Sequence, residues 1–425
     1  MQAYDMLTTA ELETAYAAEK AQFESCKGLG LKLNMARGKP SKIQLDITND
    51  MLTVLSAGED CIDNGVDVRN YGELTGIQCA KEYWADILGC KPTQIFVGGN
   101  ASLNIMYDVI SKAYTHGLLH SPRPWCKEET VKFLCPSPGY DRHFRVTETF
   151  GAELITVPMT ENGPDMDVVE KLVRDPQVKG IWCVPKYSNP DGIIYSDETI
   201  RRLAGLKAAA PDFTIMWDNA YCIHEFEGEF VPFADIIRLC AEAGNPDMVY
   251  EFASTSKVTF AGSGFSAMAC SEENLAYMTK LFGVQIISYD KINQLRHVRY
   301  LKDKEHTLVI MKKHAAVLGP KFHAVLDMLD AEIKPLGIAS WNRPKGGYFV
   351  SFNAMPGTAK RVLELCSQAG VVMTPAGATY PHGIDPNDSN IRIAPSLPPV
   401  EELQQAMQVF CTCVKLAALE KILNK

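Results

Sequence analysis

A chain of 425 residues with 46% hydrophobic residues is long enough for two or three compact domains around a large core. Its 42 Lys and Arg against 51 Asp and Glu give a net charge of -9, which disfavours nucleic acid or an anionic membrane as a partner. No apolar stretch has the length of a signal peptide or a membrane span, so we expect a cytoplasmic protein. The 13 cysteines are scattered without a CxxC pair, and we expect reduced thiols and no metal site.

The first 50 residues predict one helix followed by an extended segment. Thr8 and Glu11 have the spacing of a capping box, and the residues after them are rich in Ala, Glu and Leu until Gly28. Residues 33–41, with the sequence LNMARGKPS, contain Gly and Pro and are expected to be extended.

From about residue 70, short apolar runs alternate with longer amphipathic stretches, which favours an α/β fold with a mostly parallel sheet of seven strands. The predicted strands are 95–97, 131–135, 154–157, 180–184, 214–217, 248–252 and 265–270. Ligands of such sheets bind at the carboxyl ends of the strands, so the residues that follow each strand are candidates for chemistry.

The C-terminal third predicts a smaller α+β domain. A long helical stretch begins near Leu301, and a strand at 346–352, a helix at 361–369 and a last helix after Pro399 follow it. We therefore expect a large domain over residues 51–305 and a small domain over residues 306–425, joined by the segment 1–50.

Lys257 ends the sequence STSK at the end of a predicted strand, and a loop of small residues, 261–264, follows. The hydroxyls of Ser254 and Ser256 could bind a phosphate beside it. An isolated lysine after a strand is usually a solvated surface residue, so the motif needs support from elsewhere in the chain.

Asp218 and Tyr221 follow another predicted strand, in the sequence MWDNAY. Pyridoxal 5'-phosphate (PLP) chemistry requires a protonated ring nitrogen, and a buried carboxylate facing that nitrogen supplies the countercharge. A phenol near the 3'-oxygen of the ring would tune the cofactor. The alternative for Asp218 is a helix cap.

Four further positions follow strands or lie in one. Asn189 lies in a Pro/Gly-rich loop, Ser102 begins a helix where backbone N–H groups could face a phosphate, and Tyr140 could stack on a ring. Arg392 lies between apolar neighbours, and a guanidinium is suited to bind a carboxylate in a bidentate manner. Each also has an ordinary structural interpretation: turn, helix start, packed aromatic or structural ion pair.

These features occur in one order along the chain, which resembles the fold-type-I, class I aminotransferases over nearly its whole length. The sequences LNMARGKPS, RNYGELTGI and STSKVTFAGSG are similar to a subgroup that includes some bacterial aspartate aminotransferases and relatives of the aminotransferase-like half of MocR-type regulators. The resemblance implies the PLP-dependent transferase fold, with a seven-stranded large domain and a smaller α+β domain. It also implies a homodimer with active sites at the subunit interface.

The resemblance also implies a role for each matching residue. Lys257 would form the Schiff base with PLP, Asp218 would face the pyridinium nitrogen, and Tyr221 and Asn189 would bind the 3'-oxygen. The other implied cofactor contacts are stacking by Tyr140 and phosphate binding by Ala101, Ser102, Ser254, Ser256 and, from the neighbouring subunit, Tyr71. The implied substrate-binding residues are Arg392, Asn189 and Gly38.

One position departs from the family pattern. Many class I enzymes bind the phosphate with an arginine some eight residues after the lysine, where this chain has Phe265. The phosphate would then be bound by hydroxyl groups and backbone amides, and Ser263 could be one of the residues that supply them.

The function expected from the resemblance is amino transfer from aspartate or glutamate to a 2-oxo acid such as 2-oxoglutarate, and four other interpretations stand beside it. An aromatic or broad-specificity aminotransferase and a PLP-dependent C-S lyase share the framework. A MocR-type effector domain would need a DNA-binding domain before residue 33. A GxGxxA match at 262–267 precedes a strand, which is the wrong context for dinucleotide binding.

A substrate with two carboxylates needs a second cation besides Arg392. The candidate cations for the distal carboxylate are Arg37, Lys39, Lys291, Arg296 and Arg299.

Overall fold

The computed structural model describes residues 3–56 and 60–425. The α-helices are α1 (Thr9–Gly28), α2 (Lys42–Asp46), α3 (Gln78–Leu88), α4 (Ser102–Thr115), α5 (Asp141–Thr149), α6 (Met166–Leu172), α7 (Asp197–Ala204), α8 (Ile236–Glu242), α9 (Glu272–Gln285), α10 (Lys291–Leu301), α11 (Lys304–Glu332), α12 (Ala359–Gln368) and α13 (Val400–Ile422). The strands are β1 (Leu33–Asn34), β2 (Ile62–Asp63), β3 (Val66–Asp67), β4 (Ile95–Val97), β5 (Lys132–Ser137), β6 (Glu153–Thr160), β7 (Gly163–Pro164), β8 (Val178–Cys183), β9 (Thr214–Asp218), β10 (Val249–Ser254), β11 (Ser266–Cys270), β12 (Ala339–Trp341), β13 (Val350–Ala354), β14 (Val371–Val372) and β15 (Asn390–Ile393). Short 3-10 helices lie at Tyr4–Met6, Asn49–Thr53, Pro92–Gln94, Trp125–Lys127, Lys334–Leu336 and Pro381–Gly383.

The large sheet has eight strands in the order β4-β11-β10-β9-β8-β5-β6-β7. Neighbours from β10 through β6 are parallel, whereas β11 is antiparallel to both β10 and β4. The predicted mostly parallel sheet and all seven predicted strands are confirmed. The eighth strand, β7, is a two-residue hairpin partner of β6, and its sequence Gly-Pro indicates a turn more readily than a strand.

The central strands β8 and β9 are buried along their whole length, because helices cover both faces of the sheet. Since β11 is antiparallel to its two neighbours, β4 runs in the same direction as β10. The carboxyl ends of β4, β5, β8, β9 and β10 therefore meet at one edge of the sheet, where the candidate residues lie.

A smaller α+β unit is built on the antiparallel sheet β12-β13-β15, and its helices α11, α12 and α13 pack together with α1. The N-terminal segment joins this unit through β1, which pairs in parallel with β14. The predicted capping box of Thr8 and Glu11 is present at the start of α1. The domain boundaries at residues 50 and 305 stay a prediction.

The long helix predicted from Leu301 begins three residues later. Lys302 adopts a positive φ of 61°, which ends α10, and the carboxylate of Asp303 caps α11 through the backbone N–H of His306. Across the described parts of the chain, no helix combines the length and apolar character that crossing a membrane requires.

Candidate active site

Side-chain contacts connect several strand ends at the carboxyl edge of the large sheet. His143, after β5, contacts Asp218 at the end of β9. The ammonium of Lys257, after β10, lies 4.9 Å from the ring centroid of Tyr221. Asp218 and Tyr221 belong to one predicted motif and Lys257 to another, and these three residues therefore share one site with His143.

Asp218 has two carboxylate oxygens in different surroundings. Its Oδ2 lies 2.9 Å from Nε2 of His143, and both side chains are buried. The His143 ring is stacked on Trp182, with 4.4 Å between the ring centroids and 7° between the planes. The other oxygen, Oδ1, is buried, and no group of the described residues forms a hydrogen bond with it. A buried acceptor of this kind is costly unless a donor meets it, so Asp218 is suited to bind a cationic N–H of a ligand.

Lys257 is partly buried and lies between two aromatic rings, with its Nζ 5.8 Å from the ring centroid of Tyr348 as well as near Tyr221. Burial lowers the pKa of its ammonium, and the negative charge of Asp218 opposes this shift. The neutral amine, which is the nucleophilic form, is therefore more accessible than in a solvated lysine.

Two phenols line the site near Asp218. Burial raises the pKa of Tyr140 to about 12 and that of Tyr221 well above its ordinary value, so both stay protonated at neutral pH. The Tyr221 ring is stacked with that of Tyr348, which fixes its position. Both hydroxyls can therefore donate hydrogen bonds to a ligand oxygen.

Arg392, on β15 of the small sheet, contacts residues that follow strands of the large sheet. Its Nη1 donates to Asp141 Oδ1 at 3.1 Å and to Asn189 Oδ1 at 3.3 Å, and its guanidinium carbon lies 4.8 Å from the ring centroid of Phe349. Its Nε is buried without a hydrogen-bond partner among the described residues. The guanidinium thus keeps donor capacity for a carboxylate.

Gly38 lies against the same aromatic ring. A Cβ at this position would stand 2.3 Å from Cζ of Phe349, so a larger residue would require the ring to move. The extended segment 33–41 therefore passes next to the ring that packs on Arg392. This places Gly38 close to the predicted carboxylate site.

The predicted phosphate-binding residues form a second group. Ser254 Oγ donates to Ser256 Oγ at 3.1 Å, and Ser256 Oγ lies 3.5 Å from the carbonyl oxygen of Asn100, which precedes Ala101 and Ser102. Ala101 is the N-cap of α4 and has no side-chain acceptor for the first N–H groups of that helix. These N–H groups are available to an anion.

Phe265 is a core residue, because its side chain is buried against the rings of Trp84 and His297. The loop 261–264, which precedes Phe265, is contacted by a cationic side chain from α10, that of Arg296. Arg296 Nη2 donates to Ser263 Oγ at 2.8 Å, and its Nε is buried without a partner within the described residues.

Within the described part of the chain, no hydrogen bond or ring contact joins the side chain of Tyr71 to the other predicted site residues. Its side chain is 81% exposed, in the loop before α3.

Three of the five candidate cations for a distal carboxylate have protein partners. Lys291 donates to the carbonyl oxygens of Asn70 and Gly72, and Arg296 donates to Ser263 and Asn293. Arg299 donates to the carbonyl oxygen of Asp60. The side chains of Arg37 and Lys39, on either side of Gly38, are exposed.

The sequence analysis missed His143, Trp182, Tyr348 and Phe349 as parts of the site. His143 comes three residues after Tyr140, on the first turn of a helix that follows a strand, and this position is a usable signal. Trp182 and the two aromatics of 346–352 lie inside strand-like apolar runs, where nothing separates them from core residues.

Comparison with known proteins places the whole chain in context. Residues 7–425 match the family model for aspartate aminotransferase. An aspartate aminotransferase from Corynebacterium glutamicum is 50% identical over 405 residues, which cover 95% of this chain and 94% of that protein. A crystal structure of an aspartate transaminase from Corynebacterium glutamicum matches with a TM-score of 0.96 at 48% identity, covering 98% of both chains.

A more distant structure shares the fold. The α-aminoadipate aminotransferase of Thermus thermophilus, solved with N-(5'-phosphopyridoxyl)-L-leucine, matches with a TM-score of 0.72 at 20% identity over 92% of this chain and 93% of that chain.

Proposed function

Because the chain belongs to the aspartate aminotransferase family and is an aminotransferase, we propose that it uses PLP to move the amino group of aspartate or glutamate to a 2-oxo acid. The observation that carries the cofactor assignment is the buried, unpartnered Oδ1 of Asp218 within the described site. A buried carboxylate oxygen can accept the hydrogen bond of a protonated ring nitrogen and balance its positive charge.

The side chains around Asp218 fit the cofactor ring. PLP, when bound, supplies an electron-poor ring that takes up the electron pair of a Cα–H bond of the substrate. Asp218 would keep the ring nitrogen protonated, and His143 holds the carboxylate in place from its other oxygen. Tyr221 and Asn189 would bind the 3'-oxygen, and Tyr140 would lie against the ring.

Lys257 has two tasks in this proposal. Its amine would hold the cofactor until an amino acid displaces it. The freed amine would then take the proton from Cα and return it to the cofactor carbon, as a general base and then a general acid. The lowered pKa of Lys257 supports both tasks, because each starts from the neutral amine.

The phosphate would bind at the start of α4, with Ala101, Ser102, Ser254 and Ser256 as its ligands. The N–H groups of a helix start and hydroxyl donors suit an anion. Tyr71 would reach the phosphate of a second copy of the chain, which makes the enzyme a homodimer with shared active sites. Exposed apolar side chains support such an interface: Ile292 adjoins Lys291, which contacts the Tyr71 loop, and Val284 and Ile287 precede it on the chain.

The substrate would bind between the two sheets. Arg392 and Asn189 would hold the α-carboxylate, with Gly38 leaving room beside them. The exposed Arg37 or Lys39 would contact the distal carboxylate of aspartate, because the other candidate cations already have protein partners.

A visible spectrum of the purified protein tests the cofactor and Lys257 together. Wild type is expected to show the absorbance of bound PLP, which shifts when aspartate is added. Lys257→Ala is expected to bind PLP weakly and to show no catalytic turnover. A colourless wild-type protein that does not take up added PLP would defeat the proposal.

Rates with aspartate, glutamate, alanine and phenylalanine against 2-oxoglutarate test the amino donor. We expect Arg37→Met or Lys39→Met to lower the preference for aspartate over alanine, while Lys32→Met, an exposed lysine of the same segment, leaves it unchanged. A clear preference of wild type for phenylalanine would refute the choice of a dicarboxylate substrate.

A further inference from the structure

The loop that carries Tyr71 has an anchor of its own. The backbone N–H of Tyr71 donates to Asn70 Oδ1 at 2.8 Å. Gly72 has a φ of 103°, a conformation in which a residue with a side chain would be strained. The phenol is 81% exposed, so its own chain does little to hold it. The position of the phenol therefore depends on the backbone on either side of it.

Lys291 holds that backbone from the first turn of α10. Its side chain is only 3% exposed, and its Nζ donates to the carbonyl oxygen of Gly72 at 2.9 Å and to that of Asn70. These two carbonyls flank Tyr71. One turn further along α10, Gln294 Oε1 accepts from the backbone N–H of Ile77 at 3.0 Å, which fixes the end of the same loop.

A buried ammonium at this position is costly in free energy. It loses its hydration, and it lies at the positive end of the helix dipole. Lysine has three N–H donors and no acceptor, so backbone carbonyls are suitable partners for it. An apolar side chain would fill the space without these costs, but it could not fix the carbonyls on both sides of Tyr71.

We propose that Lys291 is a positioning residue that fixes the Tyr71 loop so that the phenol reaches the phosphate bound by a second copy of the chain. The inference rests on the proposed PLP-dependent homodimer. Lys291 thus acts on the active site of its partner and does not bind the distal carboxylate of the substrate, since its donors are directed at the backbone.

The dissociation constant of PLP gives the first test. Lys291→Met is expected to raise it by at least about tenfold, the size expected for losing a hydrogen bond to a charged group. Tyr71→Phe should raise it similarly, and the double variant should add little to either single change. Lys280→Met, an exposed lysine of α9, is the matched control and should bind PLP like wild type. Additive effects of the two changes would overturn the inference.

Hybrid dimers give the decisive test, because they separate the two copies. When one copy carries Lys257→Ala and the other Lys291→Met, the intact Lys257 site is served by a Tyr71 loop that keeps its Lys291. This hybrid should bind PLP at that site with wild-type affinity. When both changes are in one copy and the other copy is wild type, the intact site is served by the altered loop, and its affinity should fall.

The reverse pattern, in which Lys291→Met weakens the site of its own copy, would overturn the inference. If Lys291→Met does not fold, Lys291→Gln, which keeps one donor group, replaces it in the same hybrids. A wild-type protein without bound PLP would instead contradict the proposed function. A wild-type dimer with PLP, together with unchanged binding in both hybrids, would contradict only the role of Lys291.

Discussion

At the scale of the residue, one carboxylate oxygen of Asp218 contacts His143, and the other is buried without a hydrogen-bond partner among the described residues. Asp218→Asn retains the size of the side chain and removes its charge. We expect the reaction of the PLP form with aspartate to slow by up to about a hundredfold, since a charge-assisted hydrogen bond contributes up to about 3 kcal/mol. Stopped-flow absorbance of bound PLP measures this rate.

The control for this change is a second buried carboxyl on the neighbouring strand. Glu251→Gln alters a side chain that is hydrogen-bonded to Asn219 and has no proposed contact with the cofactor. Its rate should stay close to that of wild type. Equal rates for Asp218→Asn and wild type would contradict the role of Asp218.

Residues with a chemical role were predictable where a strand end made them stand out. Asp218 directly follows an apolar run, Lys257 follows another after the three hydroxyl residues 254–256, and the parallel sheet brings such ends together. His143 was missed because its role depends on stacking with Trp182, a contact between elements that no local pattern records. Phe265 was identified as a departure, but the proximity of Arg296 to its loop required the fold.

At the scale of the element, the strands were predictable from the sequence, but the point where one helix ends and the next begins was not. The buried strands are short apolar runs with clear ends, and all seven were found. The break between α10 and α11 depends on the backbone conformation of Lys302, which no residue preference encodes, since lysine rarely adopts a positive φ. The short β7 forms only because β6 supplies its hydrogen-bond partners.

Strand β10 also carries a buried acid that makes stability depend on pH. Burial raises the pKa of Glu251 to about 8 from 4.5, and the hydrogen bond from Asn219 opposes this shift. The folded state keeps a proton that the unfolded state releases, so the free energy of unfolding falls as pH rises from about 4.5 to about 8. Above that pH range Glu251 is ionised in both the folded and the unfolded state, and the free energy of unfolding falls no further.

Glu251→Gln removes this titration and keeps an oxygen for Asn219. Its stability relative to wild type should therefore increase with pH through this pH range, by up to about 1.4 kcal/mol per pH unit, and then level off. Urea unfolding of both proteins at a series of pH values measures the difference. Glu273→Gln, on the exposed side of α9, should show a constant difference, and a constant difference for Glu251→Gln would refute the assignment.

At the scale of the whole molecule, the proposed substrate site lies where the two sheets meet. Arg392 belongs to β15 of the small sheet, yet its Nη1 contacts Asp141 and Asn189 of the large unit. The resemblance predicted a role for Arg392, but its contacts with Asp141 and Phe349 depend on how the two units pack.

Arg392→Lys tests whether this junction binds the substrate. Lysine keeps the charge but cannot form two parallel hydrogen bonds with a carboxylate, so the KM for aspartate should rise by at least about tenfold. The absorbance and affinity of bound PLP should not change, because Arg392 has no proposed contact with the cofactor. Arg343→Lys, an exposed arginine paired with Asp330, is the matched control and should keep the wild-type KM. A weaker affinity for PLP with an unchanged KM would show instead that Arg392 orders the cofactor site through Asn189.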